Sequence, residues 1–329
     1  MQQKTNPIER MVEEYKVLIL DGALATELEK HGCSLDDPLW SAKVLLENPD
    51  VIYRVHKDYF EAGADCAITA SYQATEEGFL KKGIGREEAI SLIKKTVELA
   101  KEARDEVWRK SDSERPKPLV AGSVGPYGAY LADGSEYTGD YDVTRETLIS
   151  FHRSRIQALI EAGADVLAFE TIPSFQEAEV LLSLLEDFPD MYAWLSFSLK
   201  NGQQISDGTE LAKCAEAFGK HVQIASIGVN CAPADAAAKA IQLLGKHTQK
   251  PLIIYPNSGE SYDATTKTWD GNSSCAEISG QSASWFEAGA RLIGGCCRTN
   301  SDQIKQLAEK WRSFSQIETG SAALPLKAD

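Results

Sequence analysis

The sequence predicts a single (β/α)8 barrel of the α/β class, and two observations carry that prediction. The first is a junction used three times: Glu61-Ala-Gly-Ala-Asp65, Glu161-Ala-Gly-Ala-Asp165 and Glu287-Ala-Gly-Ala290, each leading into a short apolar run. Gly63, Gly163 and Gly289 can take the left-handed backbone that closes a helix, and the run beyond suits a strand buried on both faces. The second is the count of such runs. They stand at 17–20, 66–69, 119–123, 166–169, 192–197, 224–229, 252–255 and 292–295, eight in all, with helical patterns between them. Eight alternating units argue for a closed parallel barrel, with a doubly wound open sheet as the alternative.

Between the strands, Asn48-Pro49 opens a helix that carries Val51, Ile52, Val55 and Tyr59 on one face. Ser174 and Glu177 have the spacing of a capping box at the start of another. Residues 122–141, after the third run, form a long loop rich in glycine and tyrosine, and loops of this length are usually functional. The chain has 329 residues, which one barrel or two smaller domains would fill equally well, so the unbroken alternation decides for one. The barrel is expected over 1–312, followed by a loosely held tail at 313–329 that contains Gly320, Ser321 and Pro325.

A formal net charge of −15 excludes nucleic acid as a partner, because phosphate binding needs a basic surface. No run approaches the roughly 18 apolar residues of a membrane span, and the charged opening segment is no secretory signal. Seven cysteines, an odd number with two adjacent, suggest no paired framework; a reducing compartment, the cytoplasm, with metal or thiol chemistry fits them better.

In a barrel the chemistry sits at the carboxyl ends of the strands, and the residues there are rich in reactive groups. The runs end at Asp21-Gly22, Tyr72-Gln73, Glu170-Thr171, Asn230-Cys231, Asn257-Ser258 and Cys296-Cys297-Arg298. Cys231, Cys296 and Cys297 would converge, since their strands are separated by one neighbour. Three thiolates can hold zinc with a fourth position open for substrate. Reduced structural cysteines or a vicinal redox pair are the competing readings, and the corresponding non-catalytic protein is a zinc- or redox-sensing barrel. Cys33, Cys66, Cys214 and Cys275 are assigned to packing or exposure, and no histidine follows a strand. Asp21 and Glu170 suit the acid and base of glycoside hydrolysis, or an ammonium group; Asp21 alone could cap a helix. Lys200 stands too far beyond its strand for a Schiff base and reads as solvated. Tyrosines of the long loop could surround a sulfonium or simply pack as a lid.

Taken together, the motifs resemble those of the zinc-dependent homocysteine S-methyltransferases over residues 17–311. The resemblance is carried by Asp21-Gly-Ala-Leu-Ala-Thr-Glu27, Asp37-Pro-Leu-Trp-Ser-Ala42, Thr69-Ala-Ser-Tyr-Gln-Ala-Thr75, Glu170-Thr171, Gly228-Val-Asn-Cys231, Tyr255-Pro-Asn-Ser-Gly-Glu260 and Gly294-Gly-Cys-Cys-Arg-Thr299. It implies a (β/α)8 barrel of the TIM type in which Cys231, Cys296 and Cys297 bind Zn2+ and activate homocysteine. It further implies that Asp21 and Glu170 hold the amino group of homocysteine, with Gln73, Asn230 and Ser258 among the substrate contacts. Gln73 stands where the betaine-using branch carries Tyr, so the expected donor is S-methylmethionine or S-adenosylmethionine, and a betaine-type thiol methyltransferase is the alternative.

Overall fold

A computed structural model of the chain describes residues 5–33, 41–111, 115–258, 261–263, 268–270 and 278–321. The strands are β1 Leu18–Ile19, β2 Cys66–Ile68, β3 Leu119–Val124, β4 Val166–Ile172, β5 Ala193–Phe197, β6 Ile224–Asn230, β7 Leu252–Tyr255, β8 Ser261–Asp263, β9 Thr268–Asp270 and β10 Ala290–Ile293. The helices are α1 Pro7–Tyr15, α2 Leu24–Lys30, α3 Ser41–Glu47, α4 Pro49–Glu61, α5 Glu76–Lys81, α6 Arg86–Lys110, α7 Tyr127–Leu131, α8 Arg145–Glu161, α9 Phe175–Leu185, α10 Leu211–Phe218, α11 Ala234–His247, α12 Ile278–Glu287 and α13 Ser301–Ser321.

Eight strands form one parallel sheet in the order β1-β10-β7-β6-β5-β4-β3-β2, and β8 and β9 pair separately as a hairpin in the long connection after β7. The two ends of that order meet: Leu20 bridges Cys66 in parallel, Asp65 N donates to Ile19 O at 2.7 Å and Asp21 N to Cys66 O at 3.0 Å. The sheet is therefore a closed barrel, as the alternation of runs predicts. The three repeated glycines have φ of 104°, 83° and 107° at Gly63, Gly163 and Gly289, the backbone that ends a helix and turns the chain into the next strand.

Alternation along the strands divides the apolar side chains into two sets. Leu18, Leu20, Ala121, Ala168, Trp194, Ile253 and Leu292 fill the barrel interior, joined by Ile8 and Met11 of α1. Val17, Ile19, Val120, Leu167, Leu195 and Ile254 face the helices. At Gly228 an added Cβ would lie 1.8 Å from Ile253 O, so only glycine lets β6 and β7 approach where the site begins.

Two local expectations are corrected. The Ser174 half of the capping box forms, with Ser174 Oγ accepting from Glu177 N at 3.3 Å, but the Glu177 carboxylate goes to Tyr127 N, His152 and Tyr141 instead. Asp21 does not cap α2, whose N-cap is Ala23 with no side-chain bond. The last helix runs to Ser321, past the start assigned to the tail. Residues 37–40 of the Asp37 motif, Gly259 and Glu260, Cys275 and residues 322–329 lie outside the described residues. No helix among the described residues is long and apolar enough to cross a membrane.

Candidate metal centre and substrate site

The strand order puts β7 between β6 and β10, and the backbone beyond these strands is locked across their ends. Cys231 N donates to Tyr255 O at 3.1 Å, Cys296 N to Pro256 O at 2.8 Å, and Ser258 N to Cys297 O at 3.1 Å. Cys231 and Arg298 take φ of 50° and 68°, left-handed values that turn the chain sharply and cost a non-glycine residue about 1–3 kcal/mol each. The result is that the Sγ atoms of Cys231, Cys296 and Cys297 lie within 4.8 Å of one another, with Cys231 and Cys297 3.6 Å apart. Thiolates placed tetrahedrally about 2.3 Å from a zinc ion stand about 3.8 Å apart, so the three sulfurs fit that ion.

The protonation of the cluster points the same way. Hydrogen bonds from Cys296 and Cys297 hold the Cys231 thiol well below the ordinary thiol range against the upward push of burial, and Tyr137 and Asn257 add to them. Cys296 and Cys297 are pushed well up, first because each is hydrogen-bonded to Cys231. The hydrogen bonds of the cluster thus converge on the Cys231 sulfur, where a cation held by all three sulfurs would take their place.

Beside the sulfurs lie acids without a counter-ion. Asp21 Oδ2 accepts from Ile68 N at 2.8 Å, and Glu170 accepts from the hydroxyls of Ser123 and, at 3.0 Å, Tyr255. Burial pushes Asp21 well above the usual carboxylate range despite the Ile68 bond, and the charge of Glu170 adds to the shift. Burial likewise pushes Glu170 up to about 7. Neither has an ion-pair partner among the described residues.

The chain as a whole is similar to known proteins. Residues 18–311 match the family model described as homocysteine S-methyltransferase. The chain belongs to the homocysteine S-methyltransferase family. It is 56% identical to homocysteine S-methyltransferase YbgG of Bacillus subtilis (strain 168), over 94% of this chain and 99% of that one. It is 44% identical to a selenocysteine methyltransferase of Astragalus bisulcatus, over 93% of this chain and 96% of the relative. The metallated crystal form of the homocysteine methyltransferase MmuM from Escherichia coli superposes with a TM-score of 0.85 at 46% identity, covering 93% of this chain and all 100% of that one.

Within this family member the remaining predicted residues take different places. Asn230 is occupied by the protein: its Oδ1 accepts from Thr171 N at 2.8 Å and Ser196 Oγ at 2.9 Å, and its Nδ2 donates to Thr171 Oγ1 at 2.8 Å. Those bonds hold Thr171 at φ 58°, a value that a β-branched residue strongly disfavours, and so fix the corner behind Glu170. Ser258 Oγ is buried with no hydrogen-bond partner. Gln73 donates from Nε2 to Ala129 O at 3.0 Å while its buried Oε1 has no partner.

Three residues have places at the site that the sequence reading did not assign them. Tyr137 Oη lies 3.3 Å from Cys231 Sγ, Asn257 hydrogen-bonds the same sulfur, and Glu136 is half-buried with its pKa raised to about 7 by desolvation. Asn257 is named in the sequence as a strand-end residue beside Ser258, without a role. Tyr137 and Glu136 lie in the long loop, and no periodic signal says which of its residues folds inward.

Proposed function

We propose that this chain is a zinc-dependent homocysteine S-methyltransferase, with S-methylmethionine or S-adenosylmethionine as methyl donor. The observation that supports it is the trio of sulfurs within 4.8 Å set beside two buried carboxylates that no cation neutralises among the described residues. Cys231, Cys296 and Cys297 would hold the ion. Zinc bound there supplies the Lewis acidity that makes a thiol a thiolate at neutral pH.

The chain's own residues do the rest. Asp21 and Glu170 offer uncompensated negative charge to the ammonium group of homocysteine, which relieves the cost of burying them. Asn230 fixes the Glu170-Thr171 corner, and Ser258 Oγ is a free polar contact for substrate. The donor lies on the other side, under the loop of residues 125–141 and near the unpartnered Gln73 Oε1. In the transfer step a bond forms between the homocysteine sulfur and the methyl carbon. The bond from that carbon to the sulfonium sulfur breaks, and its electron pair stays on a neutral thioether. No proton moves, so no general acid is needed; the task is alignment and exclusion of water, and Tyr137 against Cys231 covers the sulfurs. The need for free thiols places the protein in the reducing cytoplasm.

The test is methionine formation by the purified zinc-loaded protein with S-methylmethionine, S-adenosylmethionine and betaine in parallel. The highest kcat/KM is expected with S-methylmethionine. Undiminished turnover after complete removal of the metal would overturn the reading, and a preference for betaine would overturn the donor assignment.

A further inference from the structure

The Glu177 carboxylate, diverted from its own helix cap, sits in a fully buried polar cluster with His152 and Arg155 of α8. Arg155 Nη1 donates to Tyr72 O at 3.0 Å, and its Nη2 donates to Gly125 O at 2.6 Å and faces His152 Nδ1 at 2.9 Å. A guanidinium can only donate, so Nδ1 must accept. The imidazole proton is then on Nε2, which donates to Glu177 Oε1 at 2.7 Å. The same oxygen accepts from Tyr127 N at 2.7 Å, and the other accepts from the Tyr141 hydroxyl.

This cluster touches both loops that roof the donor side. Gly125, Tyr127 and Tyr141 lie at the start and end of the loop that carries Tyr137 to Cys231, and Tyr72 immediately precedes Gln73. The loops meet closely: a Cβ at Gly125 would lie 2.7 Å from Tyr72. Phe151 packs on Tyr127 with ring centroids 4.9 Å apart, so apolar contacts could have joined these elements without a buried charge. What the polar cluster adds is direction, because each hydrogen bond admits one orientation of one loop segment.

We propose that Glu177, His152 and Arg155 are positioning residues for the methyl donor: a neutral imidazole between a guanidinium and a carboxylate sets the mutual placement of the Tyr72-Gln73 and 125–141 loops. Burial supports the neutral state, since it lowers His152 from its ordinary value although Glu177 pulls the other way. The inference rests on the donor entering beneath these loops, as in the proposed function.

The experiment compares wild-type, Glu177→Gln and Tyr141→Phe proteins, all zinc-loaded and full length. Glu177→Gln keeps the size of the side chain and removes its charge; Tyr141→Phe removes a single hydroxyl from the same carboxylate and spares the fold if the first variant does not. Losing one charge-assisted hydrogen bond corresponds to roughly a tenfold change, so KM for the donor should rise about tenfold in Glu177→Gln and a few-fold in Tyr141→Phe. Homocysteine affinity and zinc content should stay at wild-type values. A long-range nitrogen–proton NMR spectrum of the wild type should show His152 protonated on Nε2 and bare on Nδ1. A proton on Nδ1, or unchanged donor KM in folded variants of an active enzyme, overturns this inference alone. Wild-type protein inactive with every sulfonium donor overturns the methyltransferase reading and the inference with it.

Discussion

The two ends of the barrel treat buried carboxylates in opposite ways. At the amino end of the strands, Asp65 of the repeated junction is wholly buried and accepts from Arg115 at 2.9 Å, from Arg312, and from Ile19 N at 2.8 Å. Its counterpart Asp165 accepts from Arg104 and from Val120 N, both at 2.8 Å. At the carboxyl end, Asp21 and Glu170 are buried and Glu136 is half-buried, and none has an ion-pair partner among the described residues, so desolvation raises the pKa of each. Charge satisfied within the chain holds the fold together. Charge left unsatisfied beside three sulfurs makes the fold less stable than it could be and leaves an attraction for a cationic group from outside.

The contrast can be broken first at its most extreme point. Cys296→Ala should remove the metal and essentially all methyl transfer together, because two thiolates do not complete the site; elemental analysis and methionine formation read both quantities, and activity retained without metal would end the zinc assignment. At the opposite end, Asp65→Ala leaves Arg115 and Arg312 without their carboxylate and should cost about 3–5 kcal/mol, seen as a lower denaturation midpoint, with little change in KM for the protein that remains folded. A loss below about 1 kcal/mol would show that the lower face is not held by charge.

Glu170→Gln sharpens the comparison through pH. In the folded metal-free protein Glu170 titrates at about 7, against an ordinary value of 4.5, so the folded state binds more protons than the unfolded one between those limits. Its contribution to stability is full below the ordinary value and is lost as pH rises through about 7, a change on the order of 3 kcal/mol. Glu170→Gln should therefore flatten the stability profile in that window, making the variant the more stable protein at alkaline pH while weakening homocysteine binding. Equal slopes for the two proteins in denaturation between those limits would mean that Glu170 is not the buried acid the geometry makes it.

Much of this architecture is legible along the chain because it depends on neighbours in sequence. The glycines of the tripled junction announce left-handed helix ends and have them, and each apolar run becomes a strand within three residues of its expected limits. Cys231 and the Cys296-Cys297 pair are readable because a strand end in a barrel has a known destination. Glu177 shows where such reading stops. Its spacing from Ser174 predicts a local cap, yet a histidine 25 residues away and two tyrosines of another loop compete successfully for the same oxygens. Asn230 was legible as a residue at the mouth but not as the clamp on Thr171, 59 residues distant.

By itself the sequence determined the alternation of strand and helix, the eight-fold closure and the identity of the three sulfurs, since periodicity, glycine conformation and strand-end position act over a few residues. Only the tertiary structure decided which buried carboxylates would find an arginine and which would not. It also decided which tyrosine of a long loop would reach Cys231. Both outcomes depend on distance in space and on removal from water, and those exist only once the barrel has closed.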